Sequence, residues 1–172
     1  MVNRLKPLMD SLITPFQNAF IWGRNIADNI LIAHEIFYYL GKKRGGKECF
    51  RALKIDITKA YDRVDWSFLK TVLLAMNFND RWVQWIMECV TSVQYTLLIN
   101  GNIIQSFTPR KWLRQGDPIS HYLFLMCANI LSLALMKAEN QKRIREVKIG
   151  RNGISLTHLF FCWWCFAILP TR

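Results

Sequence analysis

The chain has 172 residues, of which 52% are hydrophobic and 20% charged, and its 23 lysines and arginines outnumber 12 acidic residues to give a formal net charge of +11. This composition excludes a disordered chain and predicts one globular domain, with at most two lobes. The positive charge makes RNA or DNA a more natural partner than a small apolar ligand, but basic mitochondrial and ribosomal proteins share such a composition, so motifs must decide.

The first clear element is a helix predicted over residues 25–40 and ended by Gly41. Its buried stripe is predicted from apolar residues at helical spacing, namely Ile26, Ile30, Ala33 and Phe37. The loop that follows, GKKRGGK at residues 41–47, is either a solvated turn or a loop that contacts phosphate.

The segment FRALKIDITKAYDRVDW predicts a strand that ends close to Asp56. Residues on a strand alternate between its two faces. We predict that one face is buried, made by Leu53, Ile55 and Ile57, and that the other presents the acid, made by Ala52, Lys54 and Asp56. An acidic side chain at a strand end is well placed for catalysis.

Two helices are predicted next, the first capped by Asp65 and running to about Met76, the second capped by Asp80. The first has a core stripe of Phe68, Leu69, Val72, Leu73 and Met76, and the second carries Trp82, Trp85, Ile86, Cys89 and Val90. We expect these aromatic side chains to pack rather than to stack on bases.

The segment SVQYTLLINGNIIQSF predicts a β-hairpin, because Asn100 and Gly101 supply the two positive-φ residues of a type I′ turn. A long helix is predicted to begin at Pro118 and to reach about Lys137. The segment VKIGRNGISL then predicts a second, short hairpin.

The tail contains HLFFCWWCFAIL, with two adjacent tryptophans inside a Cys-x-x-Cys spacing. One cysteine pair supplies only two of the four ligands of a structural zinc ion, and no other His or Cys cluster has zinc spacing. A metal or redox site is therefore not favoured, and a membrane-associating apolar tail is a further open interpretation.

The five cysteines are odd in number and lie mostly among apolar residues, which favours a reducing, intracellular compartment over a disulfide framework. Residues 1–16 match neither a signal peptide nor a clear transit peptide. The longest apolar candidate, residues 154–169, is too short to span a bilayer. We therefore expect an intracellular protein with no membrane partner.

Four ordered segments resemble the reverse transcriptase domain of plant LINE-type non-LTR retrotransposons: QNAFIWGRNIADNILIAHEI, LKIDITKAYDRVDWSFL, LLINGNIIQSFTPRKWLRQGDPISHYLF and ISLTHLFF. The resemblance covers nearly the whole chain and implies an α/β (α+β) fold, with the fingers and a partial palm of a right-hand polymerase and no thumb. It implies a fingers-like part over about residues 1–48, a palm and fingers core over 49–161 and an aberrant tail over 162–172.

The same resemblance implies an RNA-directed DNA polymerase that extends a DNA primer on an RNA template with two Mg²⁺ ions. Asp56 and the main-chain carbonyl of Ile57 are implied metal ligands. Tyr61 resembles the steric gate that excludes a ribose 2′-hydroxyl. Nucleotide or template contacts are implied for Arg24, Arg114, Gln115 and Gly116.

The chain departs from the family at several positions. Trp112 stands where a glycine usually precedes LRQGD, and His121 where proline is usual. After HLFF the family has Ala-Asp-Asp, whose aspartates supply the other two metal carboxylates, whereas this chain has Cys162, Trp163 and Trp164. We therefore expect a catalytically inactive domain in which Mg²⁺ is not productively bound.

A one-nucleotide insertion could account for the replaced aspartates. Ala-Asp-Asp-Ala-Leu-Leu coded GCT GAT GAT GCT TTG CTA becomes TGC TGA TGA TGC TTT GCT A after an inserted T, and two stop-to-tryptophan changes then give CWWCFA. The hypothesis fails if no other frame of the coding DNA continues the family sequence. Two functions remain open: an inactive reverse-transcriptase-derived domain, and a non-enzymatic basic module that binds RNA or a ribonucleoprotein.

Overall fold

A computed structural model of the protein describes residues 1–42, 49–148, 155–162 and 164–171. The helices are α1 (Val2–Leu5), α2 (Met9–Leu12), α3 (Ile26–Lys42), α4 (Trp66–Ala75), α5 (Asp80–Thr91) and α6 (Ser120–Asn140), with 3-10 turns at Lys6–Leu8 and Tyr61–Arg63. The strands are β1 (Cys49–Asp56), β2 (Tyr95–Ile99), β3 (Asn102–Phe107), β4 (Val147–Lys148), β5 (Ser155–Leu156), β6 (His158–Phe161) and β7 (Trp164–Thr171).

The chain divides into two compact units. The first consists of Met1–Thr58 and Ala128–Arg172, and the second is Lys59–Cys127. The fingers and palm boundaries suggested by the sequence, near residues 48 and 161, stay predictions.

The first unit is built on an antiparallel sheet with the strand order β1–β7–β6. β7 is the central strand, with β1 on one side and β6 on the other. Residues 164–171, which the sequence marked as part of an aberrant tail, therefore form the middle of the sheet rather than an appendage.

β7 is apolar on both faces because both faces are covered. Cys165 and Ala167 point to one face, Phe166 and Ile168 to the other, and all four are at most 3% exposed. A strand buried on two sides requires a continuous apolar run rather than an alternating pattern. One face contributes to a core that joins α3 to the strands, made by Ala33, Ile36, Val147, Leu156, Leu159, Phe161, Phe166 and Ile168.

The helix predicted over residues 25–40 is confirmed as α3, but its predicted buried stripe is wrong. Three members of that stripe are 41 to 53% exposed, namely Ile26, Ile30 and Phe37. The inward positions are instead Asn29, Ala33 and Ile36. Asn29 can point inward because its amide donates hydrogen bonds to two main-chain carbonyl groups, which satisfies a buried polar side chain.

The end of α3 also differs from the prediction. Gly41 does not end the helix, which continues to Lys42. The predicted solvated or phosphate-contacting loop lies mostly at residues 43–47, outside the described residues.

In the second unit, the predicted cap of α4 is confirmed. Asp65 Oδ1 accepts hydrogen bonds from the main-chain N–H groups of Ser67 at 2.8 Å and Phe68 at 3.1 Å. The prediction for α5 is wrong by one residue, because Asn79 is the cap and accepts from the Arg81 N–H at 3.0 Å. Asp80 lies in the first turn of the helix, where its negative charge interacts favourably with the helix dipole.

Both predicted hairpins are confirmed. Asn100 has φ 53° and Gly101 φ 81° in the turn that joins β2 to β3, which are the positive values a type I′ turn requires. The turn between β4 and β5 lies within residues 149–154, outside the described residues.

The long helix predicted from Pro118 is α6, which begins at Ser120 and reaches Asn140. Within the described residues, α6 is the one helix long and apolar enough to cross a membrane by length and composition. The sequence did not predict this helix as a possible membrane span, because polar residues interrupt its apolar runs. Leu123, Leu125 and Met126 are at most 1% exposed, whereas Leu133 is 45% exposed, so α6 is buried over part of its surface.

Candidate functional site

The predicted site residues are distributed over both units. Asp56, Ile57 and Arg24 belong to the first unit, and Tyr61 with residues 114–116 to the second.

Asp56 is the last residue of β1, as the sequence predicted, and its side chain is exposed. In the sheet register Asp56 pairs with Trp164, and Trp164 pairs with Phe161 on its other side. Position 164 is therefore directly across the strand pair from Asp56. By resemblance, this is the position of the second aspartate of the family's Ala-Asp-Asp motif.

The Trp164 side chain is held by an aromatic ring and a cation. Its ring lies parallel to that of Phe161, with centroids 3.9 Å apart and an interplanar angle of 3°. Lys54 Nζ lies 4.9 Å from the centroid of the Trp164 ring, within the range of a cation–π interaction. The position across from Asp56 thus carries an indole and a nearby ammonium group.

These surroundings of Asp56 do not fit a pair of Mg²⁺ ions. Magnesium prefers oxygen ligands, mainly carboxylates and water, and the indole of Trp164 offers no oxygen. No group of three or more His, Cys, Asp or Glu residues that could hold a metal occurs among the described residues. Of the ligands that the resemblance implies, the chain keeps the Asp56 carboxylate and the main-chain carbonyl of Ile57.

Arg24 has a structural role that the sequence did not predict. Its guanidinium donates five hydrogen bonds of 2.7 to 3.0 Å, to the Asp10 carboxylate and to the carbonyl oxygens of Asp10, Ile13, Thr14 and Gln17. An arginine has five N–H donors, so this set uses all of them. Contact with phosphate would require breaking one of these bonds, and the implied template or triphosphate role of Arg24 stays a prediction.

Gln17 is a second residue that sequence reasoning missed. Its side chain is almost fully buried and contacts the tip of the hairpin formed by β6 and β7. Gln17 Oε1 accepts from the Cys162 N–H at 3.4 Å, and Gln17 Nε2 donates to the Cys162 carbonyl at 3.5 Å. No local sequence signal marks this role, since the partners are 145 residues apart in the chain.

In the second unit, Tyr61 is half-buried and stacks on Phe124, with ring centroids 5.1 Å apart and an interplanar angle of 30°. The Tyr61 carbonyl accepts a hydrogen bond from the Leu113 N–H at 2.9 Å. The segment that precedes residues 114–116 is therefore bound to the turn that carries Tyr61. The steric-gate role of Tyr61 stays a prediction.

Arg114, Gln115 and Gly116 form an exposed loop before α6. Gly116 has φ 85°, and apart from its two chain neighbours no described residue has an atom within 4 Å of the position that a Cβ would occupy. The glycine therefore suits the backbone conformation, and the space beside it is open. Asp117 Oδ1 accepts from the Ile119 N–H at 3.0 Å and ends the loop. The nucleotide contacts of residues 114–116 stay predictions.

Trp112 occupies a backbone conformation that favours glycine. Its φ is 112°, which matches the glycine found in the family at this position. Trp66 Nε1 donates to the Trp112 carbonyl at 2.8 Å, and the Trp112 ring meets the Tyr95 ring edge-on at 5.1 Å. These contacts hold the loop in its conformation although a bulky side chain has replaced glycine.

Two further groups are buried around the sheet of the first unit. His158 is fully buried, its Nε2 lies 2.6 Å from Ser132 Oγ, and burial lowers its pKa to about 4. Burial raises the pKa of the Cys162 and Cys165 thiols to about 12. Thiols that stay protonated are poor nucleophiles.

The sheet, the acidic residue at its edge and the preceding helix belong to a known architecture. The structure of apo telomerase from Candida tropicalis, truncated from the C-terminal domain, superimposes with a TM-score of 0.63 over 98% of this chain and 33% of that chain, at 11% sequence identity. The chain therefore shares the fold of part of this telomerase.

Sequence comparison agrees with the fold. Residues 1–156 match the model of the reverse transcriptase (RNA-dependent DNA polymerase) family. The chain belongs to the reverse transcriptase family, and the family predicted from the sequence is confirmed.

Three curated relatives are similar over parts of the chain. A transposon TX1 uncharacterized 149 kDa protein of Xenopus laevis is 29% identical over 121 residues. An uncharacterized mitochondrial protein of Arabidopsis thaliana is 39% identical over 64 residues. A retrovirus-related Pol polyprotein from type-1 retrotransposable element R2 of Popillia japonica is 25% identical over 99 residues. These matches cover 70, 37 and 58% of this chain, and 9, 52 and 16% of the relatives.

Proposed function

We propose that this chain is a reverse transcriptase domain that binds RNA or primer–template but does not polymerise DNA. The observation that carries the proposal is the register of β1 and β7, which sets Trp164 directly opposite Asp56. An apolar ring therefore occupies the position from which a second carboxylate would share cations with Asp56.

The chemistry of polymerisation explains why this replacement matters. Two-metal catalysis stabilises the attacking and leaving oxygens by a pair of ions that carboxylates hold in place. Loss of one transition-state-stabilising donor costs roughly 10²–10³ in rate in a well-studied hydrolase. Replacement of both aspartates is expected to cost at least as much. The Lys54 ammonium beside Trp164 further disfavours a cation at this place.

Nucleic-acid binding rests on the charge and on exposed polar groups. The net charge of +11 favours binding of a polyanion through counterion release, with little preference for sequence. The exposed loop at residues 114–116 is the proposed point of contact with nucleic acid. Its arginine suits phosphate oxygens, and its glycine leaves open space beside the backbone.

Primer extension tests the missing polymerase activity. Purified protein is incubated with a labelled primer on a poly-A template and with Mg²⁺ or Mn²⁺, and we expect no extension. The Asp56→Ala variant is the control for contaminating polymerase. Extension that disappears in Asp56→Ala would show that other groups complete a metal site, and would overturn the proposal.

Binding is tested separately by fluorescence anisotropy with labelled single-stranded RNA and with primer–template. Affinity should decrease steeply between 50 and 200 mM salt, on the order of 10³-fold if about six phosphates are neutralised. Binding that does not change with salt, or that is absent at low salt, would contradict a nucleic-acid role.

A further inference from the structure

Cys162, which follows β6 directly, has an unfavourable backbone conformation. Phe161 pairs with Trp164, so two residues connect the strands. The first of them, Cys162, has φ 62°, in the left-handed region that costs energy for a residue with a Cβ. The equivalent residue in the hairpin of β2 and β3 is Asn100, followed by Gly101, and both residue types suit such a turn.

We infer that Gln17 is a positioning residue that compensates for this conformation and thereby fixes Trp164 opposite Asp56. The Gln17 carboxamide contacts both the N–H and the carbonyl of Cys162, at 3.4 and 3.5 Å. A single planar amide that holds both sides of one residue restricts how that residue can rotate. Trp164 is the first residue of β7, two positions later, so a rotation of Cys162 would act first on Trp164.

Gln17 can act in this way because its own backbone is anchored. The Gln17 carbonyl accepts a hydrogen bond from Arg24 Nη1 at 2.7 Å. Gln17 also forms a parallel bridge to Phe160, next to the hydrogen bond from the Phe160 N–H to the Phe16 carbonyl at 2.9 Å. The anchored segment is thus bound along the free edge of β6, immediately before the tip.

Asn29 of α3 strengthens the same edge. Its Nδ2 donates to the carbonyl oxygens of Phe16 at 3.2 Å and of Phe160 at 2.8 Å. The side chain therefore bridges the anchored segment and β6. Arg24, Asn29 and Gln17 form one connected polar support, and its last member reaches Cys162.

This support does not depend on nucleic-acid binding, so it is tested independently of the proposed function. The first measurement is ¹⁹F NMR of protein labelled with fluorotryptophan, with the Trp164 resonance assigned from Trp164→Phe. Gln17→Met keeps the side-chain length and removes the two contacts with Cys162, together with the 3.0 Å hydrogen bond that Gln17 Oε1 accepts from the Ala19 N–H. We expect it to shift or broaden the Trp164 resonance beyond its linewidth, while the resonances of Trp82 and Trp85 on α5 do not change.

A rescue variant separates positioning from general stabilisation. Glycine adopts left-handed conformations without strain, so Cys162→Gly added to Gln17→Met should return the Trp164 resonance towards its original position. Gln105→Met, an exposed glutamine on β3, is the matched control and should change nothing. A Trp164 resonance that is unchanged in folded Gln17→Met would overturn the inference.

The unmodified protein provides a second test if Gln17→Met does not fold. Amide hydrogen exchange is compared, after correction for intrinsic rates, at Cys162 and at Asn100, the first turn residues of the two hairpins. We expect exchange at Cys162 to be slower by roughly tenfold or more, because its N–H is bonded and buried. Equal exchange at the two positions would overturn the inference.

Discussion

Buried polar side chains of the described residues form hydrogen bonds. Buried Gln17, Asn29 and His158 each make hydrogen bonds to groups distant in sequence. Among the described residues, no buried side-chain nitrogen or oxygen lacks a partner. Since an unsatisfied buried polar group costs free energy, single substitutions at these positions are expected to have measurable effects.

His158 should make stability depend on pH. Its pKa is about 4 in the folded protein, against 6.5 for an unperturbed histidine, so the unfolded chain binds more protons between these values. Stability from this group is complete above about pH 6.5 and decreases as the pH falls towards 4. The free energy of unfolding in urea should be about 2 kcal/mol lower at pH 5 than at pH 7.

The control is His158→Asn, which cannot titrate. It should be less stable at pH 7, because the contact with Ser132 Oγ is altered, but its stability should vary less between pH 7 and pH 5. An equal pH dependence in both proteins would show that other groups cause it.

Arg24 should be necessary for stability even though it resembles a nucleic-acid contact. Arg24→Lys keeps the positive charge but cannot reproduce a planar set of five hydrogen bonds. We expect it to lower the free energy of unfolding by about 2–4 kcal/mol, as measured by denaturant titration. Arg81→Lys, which changes an exposed arginine on α5, is the control and should have a small effect.

At the scale of elements, the sequence predicted well wherever one local signal decided the outcome. The turn at Asn100 and Gly101, the cap at Asp65 and the end of the strand at Asp56 are confirmed. The predicted buried face of that strand is wrong, because Leu53 is 46% exposed and Ile55 is only half-buried. The inward face of α3 was missed because a buried asparagine depends on carbonyl groups distant in sequence. The contacts of Arg24 and Gln17 were missed for the same reason.

Because β7 is the central strand, an acidic substitution there should destabilise the protein far more than the same substitution on the exposed strand β2. Ile168→Asp would place a charge at a position with 0% exposure, which should cost more than about 4 kcal/mol and leave the first unit unfolded. Leu98→Asp on β2, where the side chain is 69% exposed, should change stability by about 0.5 kcal/mol or less. Circular dichroism and urea titration measure both, and a folded Ile168→Asp variant would contradict the described sheet.

At the scale of the whole molecule, charge and apolar surface are unevenly distributed. Residues 92–107 contain no charged side chain, although the chain carries a net charge of +11. Within this segment Leu98 and Ile103 pair across β2 and β3 and are 69 and 76% exposed. Exposed apolar residues on unprotected strands favour association between molecules.

The protein should therefore self-associate through this hairpin when it is concentrated. Leu98→Lys combined with Ile103→Lys should raise the concentration at which light scattering begins to increase, because like charges on exposed strands oppose association. Leu31→Lys, on α3 and 64% exposed, is a control for the added charge. An equal effect of both changes would indicate that net charge, rather than the hairpin, limits solubility.

The double burial of β7 also affects how freely this segment can evolve. An exposed or half-exposed strand must keep polar and apolar residues in alternation, whereas a strand covered on both faces needs only apolar residues of suitable size. Codons with T at the second position encode apolar residues only, so a T-rich stretch read in a new frame can still supply such a strand. Mutations that would remove catalytic carboxylates can therefore be tolerated by the fold, and loss of activity and loss of structure become separable events in the history of such a domain.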